Sequence, residues 1–231
     1  MQQHELDALF DRQAAGYDAQ WARMAPIRES LHFLLETVFA DLPEDARLLC
    51  IGAGTGAEIA HLARRFPRWR FLALDPAPAM IAACRARAER DGFADRCEFH
   101  AGLLGTLPDT VAFDGATSFL VSQFLLDTTA RTAFFAEIAR RLRPGGMLAW
   151  ADLAWNTSAP DYPAMLGLWM QTMSGAGLDA DALDRVRAAY ARDVGILPPD
   201  EVAALVASAG FERPLRFHQA GMIHAWCARR S

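Results

Sequence analysis

Three glycines in "LLCIGAGTGAEIAHLA", residues 48–63, sit between an apolar run and an amphipathic run. Glycine there gives a tight turn and lets a ligand lie against bare backbone. The free N–H groups of the helix that follows can bind polar or anionic atoms. Asp75 closes the next apolar run, about 20 residues on, where a carboxylate can accept both hydrogen bonds of a vicinal diol. Gly52, Gly54, Gly56 and Asp75 together point to an adenosine-containing ligand. "GAGTGA" also satisfies G-x-G-x-x-A, so a nicotinamide or flavin dinucleotide is an alternative on these residues alone.

Other chemistry is sparse. Asp152, His100, His218 and His224 could act as general bases, but each lies on or beside an expected strand, where a hydrogen-bonded structural role is the commoner outcome. None is assigned as catalytic. No H-E-x-x-H and no acid cluster on one helix face suggests a metal. The chain has no lysine, which excludes Schiff-base, pyridoxal and Walker-lysine chemistry.

The elements that must position these residues alternate. Strands are expected at "ARLLCIG", "WRFLALD", "RCEFHAG", "FDGATSFL" and "MLAWADLAW", with helices at "AEIAHLARRF", "APAMIAACRARAERDG" and "TARTAFFAEIARRLRPGG" between them. Alternation of this kind builds a parallel α/β sheet. "FERPLRFHQ" and "AGMIHAWCARR" lie too close in sequence for a parallel crossover, so an antiparallel hairpin ends the sheet. The expected organisation is one domain over 1–231: a helical lid at 1–45, a ligand-binding core at 46–155, a helical insert and helix at 156–210, and the hairpin at 211–231. The 231 residues suffice for a sizeable core.

The net charge of −5 argues against a nucleic-acid partner. No apolar run is long enough to span a membrane. The N-terminus lacks a secretory pattern, and the four cysteines form no C-x-x-C pair, so a cytoplasmic protein with reduced thiols is expected.

From residue 46 onward the chain resembles the Rossmann-like, class I S-adenosylmethionine-dependent methyltransferases. "LLCIGAGTGAEIAHLA" is similar to their first motif and "LALDPAPAMIAACRARA" to their second. "LPDTVAFDGATSFLVSQFLLD" is similar to the stretch around strand four, and "ARRLRPGGMLAWADL" to the helix–P-G-G–strand-five segment. The order of these motifs and the terminal hairpin set the chain apart from dehydrogenases. The resemblance implies a seven-stranded sheet, S-adenosylmethionine as cofactor with S-adenosylhomocysteine as product, and a small-molecule acceptor.

It also implies a site. Gly52, Gly54 and Gly56 lie under the sugar and methionine part, and Asp75 takes the ribose. Pro76, Met80, Gly102, Leu103 and Leu104 flank the adenine, although Met80 also fits a core position. Leu120 and Gln123 lie near the methyl group; Gln123 equally fits a solvent-facing helix start. "FDRQAAGYDAQW" resembles a lid segment whose Tyr17 closes over the cofactor carboxylate, with Arg23 or Arg28 as partner. In the aromatic, methionine-rich insert, Trp155 and Tyr162 are the expected acceptor contacts, while the rest suits core or a homodimer contact. The family's usual acid two residues before the first glycine is Cys50 here, and the acid after strand three is missing. The layout also resembles carboxy-S-adenosylmethionine synthase, which needs a cation for the added carboxyl; Arg187 or Arg192 lies in the corresponding region. An inactive cofactor-binding module is the remaining alternative.

Overall fold

The computed structural model describes residues 3–108, 112–174 and 180–231. Its chain order begins with helices α1 (Gln3–Gln13), α2 (Tyr17–Gln20) and α3 (Ala25–Val38). The sheet then starts with β1 (Arg47–Ile51), α4 (Ala57–Arg65), β2 (Arg70–Asp75), α5 (Pro78–Arg90) and β3 (Cys97–Ala101). β4 (Phe113–Phe119), α6 (Thr128–Arg141) and β5 (Leu142–Leu153) follow. The chain closes with α7 (Tyr162–Ser174), α8 (Ala180–Asp193), α9 (Pro199–Ser208), β6 (Leu215–Ala220) and β7 (Ile223–Arg229).

The seven strands form one sheet in the order β3-β2-β1-β4-β5-β7-β6. Strands β1 to β5 pair in parallel, and β7 pairs antiparallel with both β5 and β6. The chain runs outward from β1 through β2 to β3, then restarts on the other side at β4. This reversal between β1 and β4 opens a crevice at the strands' carboxyl ends, the usual ligand position in such sheets.

Local chemistry sets the element ends. Pro78 and Pro199 occupy first-turn positions of α5 and α9, where the missing N–H costs nothing. The Asp127 carboxylate caps α6 by accepting from Ala130 N at 2.9 Å. Two boundaries differ from the sequence reading. α6 stops at Arg141, before "RPGG", and the buried Leu142 already pairs with Phe113. The next registered pair is Gly115 with Met147, so residues 143–146 bulge out of the ladder, as Pro144 cannot donate and Gly145 has φ +74°. β6 begins only at Leu215, just after Pro214, for the same lack of a donor.

One face of the sheet packs Phe135, Trp150, Val202 and Val206 under α6 and α9. The other packs Leu35, Phe39, Ile59 and Trp69 under α3 and α4. A third cluster joins Met24 and Leu31 to Trp169, Met170 and Ile223, seating the insert helix α7 against β5 and β7.

Candidate functional site

The crevice holds a cavity of about 340 Å³. Gly52, Gly54 and Gly56 all have positive φ, at +67°, +52° and +78°, a backbone region that side chains rarely adopt. Their surroundings differ. A Cβ on Gly52 would overlap Val121, and one on Gly56 would collide with Cys84 Sγ, whereas one on Gly54 would meet nothing within 4 Å. Gly52 and Gly54 line the cavity. Gly56 lies outside it, as the left-handed N-cap of α4 packed on α5.

Asp75 lines the cavity at the end of β2 and is largely buried. Its carboxylate accepts from Gly54 N at 2.9 Å and from Ala77 N at 3.0 Å. It therefore ties the glycine turn to the start of α5, with lone pairs left over. Burial raises its pKa, against the pull of those two N–H groups. Pro76, Met80, Gly102, Leu103, Leu104, Leu120 and Tyr17 also line the cavity. Leu120 is the described non-glycine residue with positive φ, at 58°. Strain of this kind collects at functional sites. Its N–H donates to Ala151 O at 2.7 Å, which fastens the end of β4 to β5.

Gln123, Trp155 and Tyr162 are not among the lining residues. Gln123 is buried, and its Oε1 accepts from Leu153 N at 2.8 Å while its carbonyl accepts from Gly195 N. It braces the end of β5 and neither faces water nor reaches the cavity. Trp155 and Tyr162 pack into the third core cluster, and the Trp155 N–H points to Asp161 at 3.4 Å. Their apolar surfaces contribute to core packing.

The cavity is roofed by α1. Gln3, Leu6, Asp7 and Phe10 line it at helical spacing, which places them on one face. Asp11 accepts from Ala79 N at 2.7 Å at the start of α5, and Asp18 accepts from Thr55 Oγ1 at 2.7 Å and pairs with Arg87. Tyr17 sits half-buried between Phe10 and Trp21; burial raises its pKa, helped by Asp75 and Asp18 and opposed by Arg28. The sequence reading named the lid but not these four contacts. Their signal was the 3, 6, 7, 10 spacing in a helix otherwise too polar for a core.

The candidate bases have other partners. Asp152 is fully buried and receives the Ser122 hydroxyl at 2.7 and 2.9 Å and Arg131 Nη2 at 3.0 Å. His100 Nε2 lies 2.8 Å from Thr106 Oγ1. His224 is buried against Trp226 and Arg216, and burial pushes its pKa down to about 4. Burial lowers His218 as well. Arg187 pairs with Asp184 and Arg192 with Asp193, and neither lines the cavity. The cation that a carboxylated cofactor needs is therefore not supplied by either.

A second carboxyl was missed entirely. Glu58, in the first turn of α4, is buried beneath the glycine turn and accepts from Thr117 Oγ1 at 2.5 Å. It also accepts from the Cys50 thiol, and burial pushes it up to about 7. Glu58 thus meets the Cys50 side chain from the helix without lining the cavity. Among the described residues, no group of three His, Cys, Asp or Glu side chains could hold a metal ion, and no helix is long and apolar enough to cross a membrane.

A methyltransferase domain model matches residues 48–146. The chain is 33% identical over 205 residues to the malonyl-[acyl-carrier protein] O-methyltransferase of Geobacter sulfurreducens, covering 84% of this chain and 72% of that one. An O-methyltransferase family protein from Burkholderia thailandensis superimposes with a TM-score of 0.71 at 19% identity, over 100% of this chain and 63% of that one. The N-methyltransferase NodS of Bradyrhizobium japonicum, in complex with S-adenosylhomocysteine, does so with a TM-score of 0.59 at 16% identity, over 88% and 86%.

Proposed function

The chain belongs to the class I S-adenosylmethionine-dependent methyltransferases, and from that premise we propose that the cavity under α1 binds the cofactor for methyl transfer to a small-molecule acceptor. The observation that carries this reading is the pairing of Gly54, open to the cavity, with the buried Asp75 beside it. The residues fit the group: bare backbone for the sugar and methionine part, a carboxylate with spare lone pairs for the ribose diol, and apolar walls for the adenine.

In this reading Asp75 accepts from the ribose hydroxyls. Met80 and Leu104, both buried, and the half-exposed Leu103 hold the adenine between them. Tyr17 and Arg28 take the carboxylate of the methionine end. The cofactor supplies an already activated methyl group when bound. The protein's part is then alignment and exclusion of water. α1 excludes water from above through Leu6 and Phe10, held by the Asp11 contact, with α2 anchored beside it by Asp18. No side chain is assigned as a general base. Four free thiols and the net charge of −5 support a cytoplasmic protein without a nucleic-acid partner.

Calorimetric titration with S-adenosylhomocysteine tests the assignment. Asp75→Ala should bind about tenfold to a hundredfold more weakly than the wild type, the loss expected for hydrogen bonds to a charged acceptor. Unchanged affinity would remove Asp75 from the ribose site.

A further inference from the structure

The turn that follows β4 faces two ways. Phe119, Leu120, Val121, Phe124 and Leu125 line the cavity. Ser122 and Gln123, between them in the chain, are buried and do not line it. Leu120 is held at φ +58°, in the left-handed region that is costly for a side chain such as leucine. A conformation of this kind persists only where its surroundings over-determine it. Val121, the next residue, fills the space that a Cβ on Gly52 would need. The turn after β4 and the glycine turn after β1 are therefore packed against each other.

The buried side of the turn ends on a fixed ion pair. The Ser122 hydroxyl donates to the Asp152 carboxylate, and its oxygen accepts from Arg131 Nε at 2.9 Å. The side chains of Arg131 and Asp152 are each 1% exposed and meet at 3.0 Å. The guanidinium is engaged at every nitrogen: Nε at Ser122, Nη1 at Gly195 O at 2.9 Å, and Nη2 at Asp152. It is therefore not free to follow Ser122 if the turn relaxes. The Leu120 N–H is itself fixed to Ala151 O, one residue before Asp152. β5 thus grips the strained segment twice, directly at Leu120 and through Asp152 at Ser122. Hydrocarbon in place of the ion pair could fill the same volume, but it could not direct two hydrogen bonds at one hydroxyl.

We infer that Ser122, tied to Arg131 and Asp152, is a positioning residue for the cofactor site: the tie holds Leu120 in its left-handed conformation and so keeps Val121 against Gly52 in the shape that receives the ligand. This inference rests on the proposed cofactor site, since it concerns what holds that site's wall. Ser122→Ala cuts the tie and leaves the Arg131–Asp152 pair in place. The turn then relaxes in the free protein, and binding must restore the strained form. The test is calorimetric titration with S-adenosylhomocysteine of four proteins: the wild type, Ser122→Ala, Leu120→Asn and the double variant. Asparagine adopts the left-handed region far more readily than leucine, so with it the turn keeps its shape without the tie.

Ser122→Ala should bind about tenfold more weakly than the wild type, the effect of releasing the backbone strain of one residue. In the Leu120→Asn background the same substitution should cost about twofold or less. A hydroxyl with a merely structural role would lower the affinity by the same factor in both backgrounds. If Ser122→Ala fails to fold, Ser122→Cys, whose thiol hydrogen-bonds only weakly, makes the same comparison. Equal losses in the two backgrounds, or no loss in either, would overturn the positioning role and leave the cofactor site standing, because the wild type still binds. Failure of the wild type to bind S-adenosylhomocysteine would overturn the cofactor reading and the inference with it.

Discussion

Two regions of the sheet treat similar ingredients in opposite ways. At the β1–β4 side, α1 buries none of its eleven residues and lays one face over a cavity. At the β5–β7 side, α7 buries Trp169 and Met170 and merges with the core. Each side also holds a buried carboxyl. Asp152 is met by Arg131 and Ser122, which oppose the upward push of burial on its pKa without cancelling it. Glu58 is met by a hydroxyl and a thiol, with no cation, and burial raises its pKa to about 7. The difference teaches that the far side is built for stability and the near side for access. A helix roofing a ligand cannot also be a fully packed core helix.

The largest test of that division is Trp169→Ala. Trp169 is 3% exposed, donates to the Tyr190 hydroxyl at 3.2 Å and packs against Gly221. Its removal should cost about 3–5 kcal/mol, which lowers the melting temperature by about 10 °C for a chain of this size. Affinity for S-adenosylhomocysteine, measured well below the melt, should stay within about twofold, because Trp169 does not itself line the cavity. A variant with the wild-type melting temperature and lost ligand binding would move the insert into the site.

The next effect concerns Glu58. Its carboxyl is raised from an ordinary 4.5 to about 7, so the folded state holds the proton more tightly than the unfolded chain. Its contribution to stability is greatest below pH 4.5, is lost as pH rises towards 7, and changes no further above that. Glu58→Gln, which keeps an acceptor for Thr117, removes this dependence. Relative to the wild type it should gain up to about 3 kcal/mol between pH 4.5 and pH 8 in denaturant melts. An equal difference at both pH values would mean that the carboxyl is already paired.

Much of this division was legible in the sequence. Alternating apolar and amphipathic runs fixed the parallel strands, and the short gap at Ala220–Gly221 fixed the hairpin. Gly52, Gly54 and Asp75 stood out because few residue types can do what those positions require. Trp155, Tyr162 and Gln123 do not line this cavity, a placement composition could not tell because aromatic and methionine residues suit a pocket and a core equally. Glu58 was invisible for another reason. A glutamate in the first turn of a helix is ordinary, and only the packing of α4 onto β4 brings it under Cys50 and beside Thr117.

The smallest effect is the most discriminating. Phe10 is half-buried on α1, with its ring 5.7 Å from Phe124 and 6.4 Å from Tyr17, so it links the roof to both walls of the cavity. Phe10→Ala removes two edge-on ring contacts, worth about 0.5–1.5 kcal/mol each. If α1 is a roof, that loss is felt in the bound state: affinity for S-adenosylhomocysteine falls about two- to tenfold while the melting temperature of the ligand-free protein moves by about 2 °C or less. If α1 were a structural helix like α7, the free protein would melt several degrees lower and the affinity would hold. Only the first outcome is consistent with a helix whose side chains are at most half-buried and whose packing a ligand beneath it completes.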